Sequence, residues 1–425
     1  MLINKLKQLF SGQFIRNVGW LGGAELVNRL FRLATTVTLA RMFSPQDYGL
    51  MAVVYTTYDF ATVFTLRGGI GAKIIQADEG DVKTICDTSY WLNWILCGSI
   101  FIIQCLAAFP VAQFYGNNQL ILPLCTSALI YLMMPLFVVH GALIERENRL
   151  KITAIGNATQ SLLSNIITVI LALLDMGVWA IVWPMVLTTP VWIVINWMNH
   201  SWQPPKSFSF EKWQEITNFG KNLLLVEFLN KLRGNLDYLI IGKFLGLEAL
   251  GVYYFAFNAG LGISMNVINT FMSALFPHIC AVRKDYNQFK ERYFSGLKKV
   301  SFGVIPLILL QSFLSPLYVP IIFGQKWIPA IPVLIMICLS VIPRIFGWAS
   351  SILLNALDKT HITLYFNIIF TVVFAISILI AVQWGIFWVA VAVLISHLLV
   401  MPPFTIWIHR YAFNKHLHFD PHKNL

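Results

Sequence analysis

Between residues 17 and 408 the sequence offers twelve apolar runs, each long enough, at roughly 20 residues, to cross a bilayer core as a helix. A backbone in hydrocarbon must satisfy its own hydrogen bonds, so a chain built this way is confined to a helical bundle. The runs are 17–42, 47–70, 88–112, 119–143, 152–174 and 177–198, then 217–245, 250–278, 299–322, 328–353, 362–382 and 385–408. Between the two sets of six lies a polar stretch from His200 to Glu215, with Pro204-Pro205 and an amphipathic segment that reads as an interfacial helix and linker. The expected fold is therefore an all-α integral membrane protein with 12 transmembrane helices in two pseudo-symmetric six-helix lobes around a central cavity. Its expected parts are an N-terminal lobe (1–199), an amphipathic linker (200–216), a C-terminal lobe (217–408) and a polar tail (409–425).

Composition agrees with this class. The chain is 57% apolar and 12% charged, against roughly a quarter charged in soluble domains. The net charge of +11 is no sign of a nucleic-acid partner, because its placement follows the membrane. Of the Lys and Arg near or beyond the ends of the expected spans, nearly all lie on the N-terminal side, whereas the opposite side has Arg41, Lys243 and Lys326. Both termini are expected in the cytoplasm. The N-terminal segment lacks the short apolar core and cleavage site of a signal peptide and is expected to remain. Six cysteines (Cys86, Cys97, Cys105, Cys125, Cys280, Cys338) form no C-x-x-C and read as small buried hydrophobes.

The two halves echo each other. Glu25, Asn28, Arg29, Leu30, Arg41 and Gly49 recur 202 positions later as Glu227, Asn230, Lys231, Leu232, Lys243 and Gly251. Each half has an even number of spans, so the copies share one orientation. Parallel repeats of this kind are related by an axis along the membrane normal and suit rocking about a central cavity.

Charges inside the spans mark the candidate site, since an ionisable group at membrane depth is costly and normally faces a bundle interior or a wet cavity. The first span carries Glu25, Arg29 and Arg32 on one helical face, and the seventh carries Glu227, Lys231, Arg233 and Asp237. Asp59 in the second span and Arg344 after Pro343 in the tenth complete the set. Five cations against four acids give a slight positive surplus, suited to an anionic substrate such as a pyrophosphate or acidic sugars. The candidate substrate-binding residues are Arg29, Arg32, Lys231, Arg233 and Arg344. Glu25, Glu227 and Asp237 are candidate coupling or charge-pairing groups. The competing reading takes Glu25 with Arg29 and Glu227 with Lys231 as helix-packing ion pairs that touch no substrate, and Asp237 reads as an intrahelical partner of Arg233. Tyr55, Tyr58, Tyr253, Tyr254, Phe255 and Phe257 could stack on sugar rings, but packing is the preferred reading. Pro184, Pro190, Pro306 and Pro343 allow kinks.

No catalytic or metal constellation stands out. The sequence has no Walker A motif, no H-E-x-x-H and no G-x-S-x-G. The outward loops are too short to carry the acid or base of a glycan polymerase. His416, His418 and His422 read as a solvated tail, and Asn157-Ala158-Thr159 lies in an apolar span, which rules out glycosylation there. The chain is expected to be a transporter without covalent catalysis and without a cofactor, with a proton or cation gradient as candidate driving force.

Several short stretches resemble one family. Leu39-Ala40-Arg41 followed by Pro45-Gln46-Asp47-Tyr48-Gly49-Leu50 is similar to the junction of the first two helices in bacterial polysaccharide transporters. Ser89-Tyr90-Trp91-Leu92-Asn93 resembles the start of their third helix. Asp237-Tyr238-Leu239-Ile240-Ile241-Gly242 with Leu250-Gly251-Val252-Tyr253 resembles the seventh-to-eighth helix region, and Phe323-Gly324-Gln325-Lys326-Trp327 through Pro332-Val333-Leu334 the loop before the tenth. These are the flippases of lipid-linked O-antigen and exopolysaccharide units, within the multidrug, oligosaccharidyl-lipid and polysaccharide exporter superfamily. The resemblance implies two lobes that alternate between inward and outward states in the bacterial inner membrane. They would carry an undecaprenyl-pyrophosphate-linked oligosaccharide outward from the cytoplasmic leaflet. It also implies partnership with the lipid bilayer and with polysaccharide polymerase and export machinery. Many relatives continue with a further helix pair, where this sequence runs into a polar tail. Three rivals stay open on the residues alone: a small-molecule extruder of the same superfamily, a membrane glycan enzyme, and a non-transporting partner of a glycan synthase.

Overall fold

The structure is a computed structural model that describes residues 31–283 and 285–413; Glu25 and Arg29 lie outside the described residues. The fold is all-α, with no strand among the described residues. Eight of the described helices are long and apolar enough to cross a membrane, and two bent helix pairs bring the number to ten if each is one span. Two expected runs fall outside that number. The first half of 17–42 precedes the described residues, and 217–245 lies within one helix, Trp213–Phe244, that carries Glu227, Lys231, Arg233 and Asp237 along it. The chain divides into two compact units between Asn235 and Leu236, inside this last helix.

In the first unit a helical stretch at 31–42 turns into α1 (Pro45–Phe64). The turn is dictated by Ser44-Pro45-Gln46-Asp47. The Ser44 hydroxyl accepts from the Asp47 amide (3.2 Å) and the Asp47 carboxylate accepts from the Ser44 amide (2.9 Å), with Pro45 at the first helical position. Reciprocal capping of this kind satisfies two otherwise orphaned backbone donors. The stretch that resembles the polysaccharide transporters is thus, at this end, a helix-start device.

Beyond α1 the sequence predicts the span to end near residue 70, with Arg67 close to its end. Instead Leu66 takes a left-handed conformation (φ 52°) and a second helix, α2 (Arg67–Gln76), continues the chain. Three glycines in 68–71 lower helix propensity, but Gly69 lets α2 meet the helix that begins at Trp213. A Cβ added at Gly69 would lie 3.0 Å from the Gly220 Cα. Next come α3 (Val82–Tyr115) and, after a short turn at Asn118–Leu120, α4 (Ile121–Met133). A 50° bend at Pro135 separates α4 from α5 (Pro135–Arg146), as expected where proline lacks an amide donor and clashes with the preceding turn. α6 (Leu150–Leu173), α7 (Trp179–Thr188) and α8 (Pro190–Asn199) follow. The core of this unit joins α2, α3, α4 and α5 through Ile70, Ile74, Ile85, Tyr131 and Phe137.

The segment after α8 has no helix of its own through Glu211; the helix α9 (Trp213–Phe244) takes up its amphipathic end. The segment is strapped to the unit by polar contacts. Thr88 Oγ1 donates to the Glu211 carbonyl (2.5 Å), Trp91 Nε1 donates to the Ser207 carbonyl (3.0 Å), and His140 Nε2 lies 2.9 Å from the Trp202 carbonyl. Lys212 pairs with Asp81 at 2.5 Å, and that carboxylate holds the lysine above its ordinary pKa. Lys73 pairs with Glu215.

The second unit comprises the end of α9, then α10 (Gly246–Cys280), α11 (Tyr286–Tyr318), α12 (Ile331–Ala356), α13 (Thr360–Ala381) and α14 (Ile386–Ala412). α10 is bent by 56° between Gly262 and Val267. The Phe323-Gly324-Gln325-Lys326-Trp327 stretch folds as a tight connection before α12. Gly324 sits at φ 109°, ψ 160°, a region open essentially to glycine alone. The fully buried Trp327 ring stacks on Phe255 of α10 at 3.9 Å. Here too the shared motif secures packing.

Candidate functional site

In the first unit α1 and α9 run antiparallel along a row of paired side chains. Thr56 Oγ1 donates to Asn235 Oδ1 (3.5 Å), Lys231 Nζ lies 2.8 Å from Asp59 Oδ1, and Phe228 packs against Phe60 and Phe64 with ring centroids 6.0 and 5.8 Å away. Asp59, without an assigned partner in the sequence, is therefore the counter-ion of Lys231. The intrahelical pairing expected between Glu227 and Lys231 gives way to this link between helices, because Asp59 meets the ammonium directly. Among the described residues Glu227 has no ion-pair partner and faces open space. Asn235 Nδ2 donates to the Lys231 carbonyl (2.9 Å), which steadies the helix at that turn. Arg233 is half-buried and donates to Asn230 Oδ1 at 3.4 Å, whereas Arg32 is exposed.

In the second unit Asp237 is buried. Its Oδ2 accepts from the Tyr253 hydroxyl (2.8 Å) and its Oδ1 from the Tyr238 amide (3.0 Å). Arg344 of α12 is half-buried. A buried carboxylate needs hydrogen-bond donors to offset its lost hydration, and the Tyr253 hydroxyl with the Tyr238 amide supplies them here. Tyr253 is fully buried, so it serves packing and hydrogen bonding, not stacking on a ligand.

The first unit also holds a cavity of about 620 Å³. It is bounded by α1, α2, α5, α6, α8 and α9 and lined among others by Tyr58, Arg67, Glu145, Asn157, Trp192 and Glu227. Its walls are positioned from below. The Arg67 guanidinium lies 5.5 Å from the centre of the Phe137 ring, and Phe137 stacks on Trp192 at 6.2 Å and 23°. Asn196 Nδ2 donates to the Phe137 carbonyl (3.2 Å). Of the cavity's residues, Glu227 is among the charged candidates named from the sequence and Tyr58 among the aromatic ones. Arg67 and Glu145 read there as loop charges, and Trp192 as an apolar residue of a span. The one available signal was the Thr65-Leu66-Arg67-Gly68-Gly69 break, where a cation follows the end of an apolar run. The expected cationic surplus is not the character of this cavity, whose described lining sets Arg67 against Glu145 and Glu227. Among the described residues no group of three or more His, Cys, Asp or Glu is arranged to hold a metal ion.

Comparison with known proteins gives a family and a fold. A family described as "Polysaccharide biosynthesis protein" matches residues 38–332. The lipopolysaccharide biosynthesis protein WzxC of Escherichia coli (strain K12) is 26% identical over 369 residues, which is 83% of this chain and 72% of that protein. The succinoglycan biosynthesis transport protein ExoT of Rhizobium meliloti (strain 1021) is 24% identical over 326 residues, 76% of this chain and 65% of ExoT. Among solved structures, the lipid II flippase MurJ in an inward closed conformation superposes with a TM-score of 0.74 at 13% identity, covering 93% of this chain and 89% of MurJ. At that identity the likeness is one of fold.

Proposed function

The chain belongs to the polysaccharide biosynthesis protein family, and we propose that within it this protein is a flippase for an undecaprenyl-pyrophosphate-linked oligosaccharide. It would carry an O-antigen or exopolysaccharide repeat unit from the cytoplasmic to the periplasmic leaflet by alternating access. The observation that carries this reading is the polar interior of the first unit. An ion pair between Lys231 and Asp59 and a cavity of about 620 Å³ lie among helices that otherwise suit lipid. Polar groups at such depth face a wet route in preference to hydrocarbon. The names of WzxC, ExoT and MurJ, proteins of lipopolysaccharide biosynthesis, succinoglycan transport and lipid II flipping, support the same class.

In this reading Lys231, Arg233, Arg344, Arg32 and Arg29 supply the positive charge that receives the pyrophosphate. Glu25 and Glu227 are the groups through which a proton or cation gradient would drive the cycle, and Asp237 is a charge-pairing group. No covalent step is involved. The protein sits in the inner membrane with both termini in the cytoplasm and hands its cargo to polysaccharide polymerase and export machinery.

One observation favours a second reading. The two carboxylates against one guanidinium in the first unit's cavity would also suit a cationic small molecule, the cargo of an extruder. Leaflet-resolved measurement of lipid-linked glycan separates the two. Deleting the protein, in a strain with no redundant flippase, should cause repeat units to accumulate on the cytoplasmic leaflet. Normal export with increased sensitivity to cationic drugs would establish the extruder instead.

A further inference from the structure

The cavity of the first unit has a lining whose chemistry differs from that of a pyrophosphate site. Glu145 and Glu227 are exposed to it and outnumber Arg67, so a dianionic group placed there meets net repulsion. Carboxylates are acceptor-only groups and form short, strong bonds with hydroxyl donors. Guanidinium, threonine and asparagine side chains supply the complementary donors, and Arg67, Thr153 and Asn157 provide them here. An aromatic face completes the set. Trp192 is held by two contacts: it stacks on Phe137, and its ring edge rests on Gly156, where an added Cβ would come within 2.8 Å of the ring. Phe137 in turn carries the Arg67 guanidinium. Gly156, Trp192, Phe137 and Arg67 thus form one continuous stack that fixes aromatic and cation before any ligand arrives. A volume of about 620 Å³ lies within the range of small-ligand sites.

We propose that this cavity is a binding subsite for an uncharged sugar of the glycan, recognised by Trp192 through its ring face and by Glu145, Glu227 and Arg67 through hydroxyl hydrogen bonds. The proposal rests on the flippase reading and adds a division of labour: the lipid-linked pyrophosphate is received by the cations elsewhere, and a neutral ring is read in this cavity. The subsite is preformed, so it selects among sugars by the placement of hydroxyl groups around an already ordered ring.

The test is site-specific photocrosslinking in cells whose lipid-linked glycan is metabolically labelled with a tritiated sugar. A benzophenone side chain is placed at Asn157, in the cavity, and separately at Leu163, exposed on the same helix. Label is expected at 157 and not at 163. Trp192→Ala should lower cross-linking at 157 by about tenfold. Isolated membranes then provide the chemical arm: the lipid-free repeat oligosaccharide should compete for cross-linking at 157, and inorganic pyrophosphate should not. Absence of label at 157 in a protein that is monodisperse in detergent, equal label at both positions, or competition by pyrophosphate would each overturn the subsite. Failure of the flippase reading looks different, since the deletion strain would then show no cytoplasmic-leaflet accumulation at all.

Discussion

The Nζ of Lys231 lies 2.8 Å from Oδ1 of Asp59, so two residues 172 positions apart in sequence, on different helices, share one ion pair. Each side chain keeps about a third of its surface open, 35% and 38%. Solvent screening therefore holds the pair's contribution to stability below about 1 kcal/mol. Lys231→Ala and Asp59→Ala should each lower the unfolding temperature of the purified protein only slightly. Glycan export, in contrast, is expected to fall much further in Lys231→Ala, which removes a receiving charge, than in Asp59→Ala. Exchanging the two residues should restore stability without restoring export. Equal export losses in both single variants would reduce the pair to packing.

The pair also shows what a sequence can and cannot yield. Apolar runs of spanning length identify the helices, because burial in lipid imposes that length wherever a helix crosses. The same logic places a span at 217–245, within α9, despite its four ionisable residues, and ends the second span near residue 70, where α2 runs on to Gln76 and packs against Gly220. Spacing rules see partners three or four residues away, so they pair Lys231 with Glu227 and leave Asp59 unexplained. They are blind to Tyr253 as a partner of Asp237, because that contact depends on how α10 returns along α9. Arg67 and Glu145 were hidden for a related reason: whether a charge at a helix end faces bulk water or a cavity is decided by neighbouring helices.

Tyr253→Phe removes a hydroxyl donor from the buried Asp237 carboxylate and leaves the ring in place. Loss of a partner at a buried charged group costs about 1–3 kcal/mol, and thermal unfolding in detergent should register it. Asp237→Asn combined with Tyr253→Phe should cost less than the sum of the two singles, because the two groups act on one contact. Additive losses would show that the Tyr253 hydroxyl and the Asp237 carboxylate contribute independently, with the Tyr238 amide sufficing to hold the carboxylate.

The strap after α8 should open in a defined pH direction. In the folded chain Asp81 raises the Lys212 pKa above 10.5, chiefly by accepting its hydrogen bond. A raised lysine contributes fully below its unfolded value and loses that contribution as pH climbs through the folded one. The strap should accordingly resist trypsin at Lys206 and Lys212 from neutral pH up to about 10. Asp81→Asn should make it labile throughout that range, and Trp91→Phe, which deletes the donor to the Ser207 carbonyl, should add to the effect. Unchanged cleavage in both variants would place the strap's stability in its aromatic contacts, such as Trp91 on Phe208.

Gly156 supports the cavity wall through the absence of a side chain. A methyl group there would overlap the Trp192 ring, whose nearest atom is 2.8 Å from the position of an added Cβ. The ring must then turn or the helices α6 and α8 must part, and overpacking of this kind costs about 1–3 kcal/mol. Gly156→Ala should reduce both thermal stability and glycan export. Trp192→Phe in the same chain relieves the overlap, so stability should recover. Export should recover only in part, because the smaller ring offers less surface at a shifted position. A double variant that regains both would show that Gly156 serves helix packing alone, whereas one that regains stability but not export would tie the Trp192 ring to the cargo.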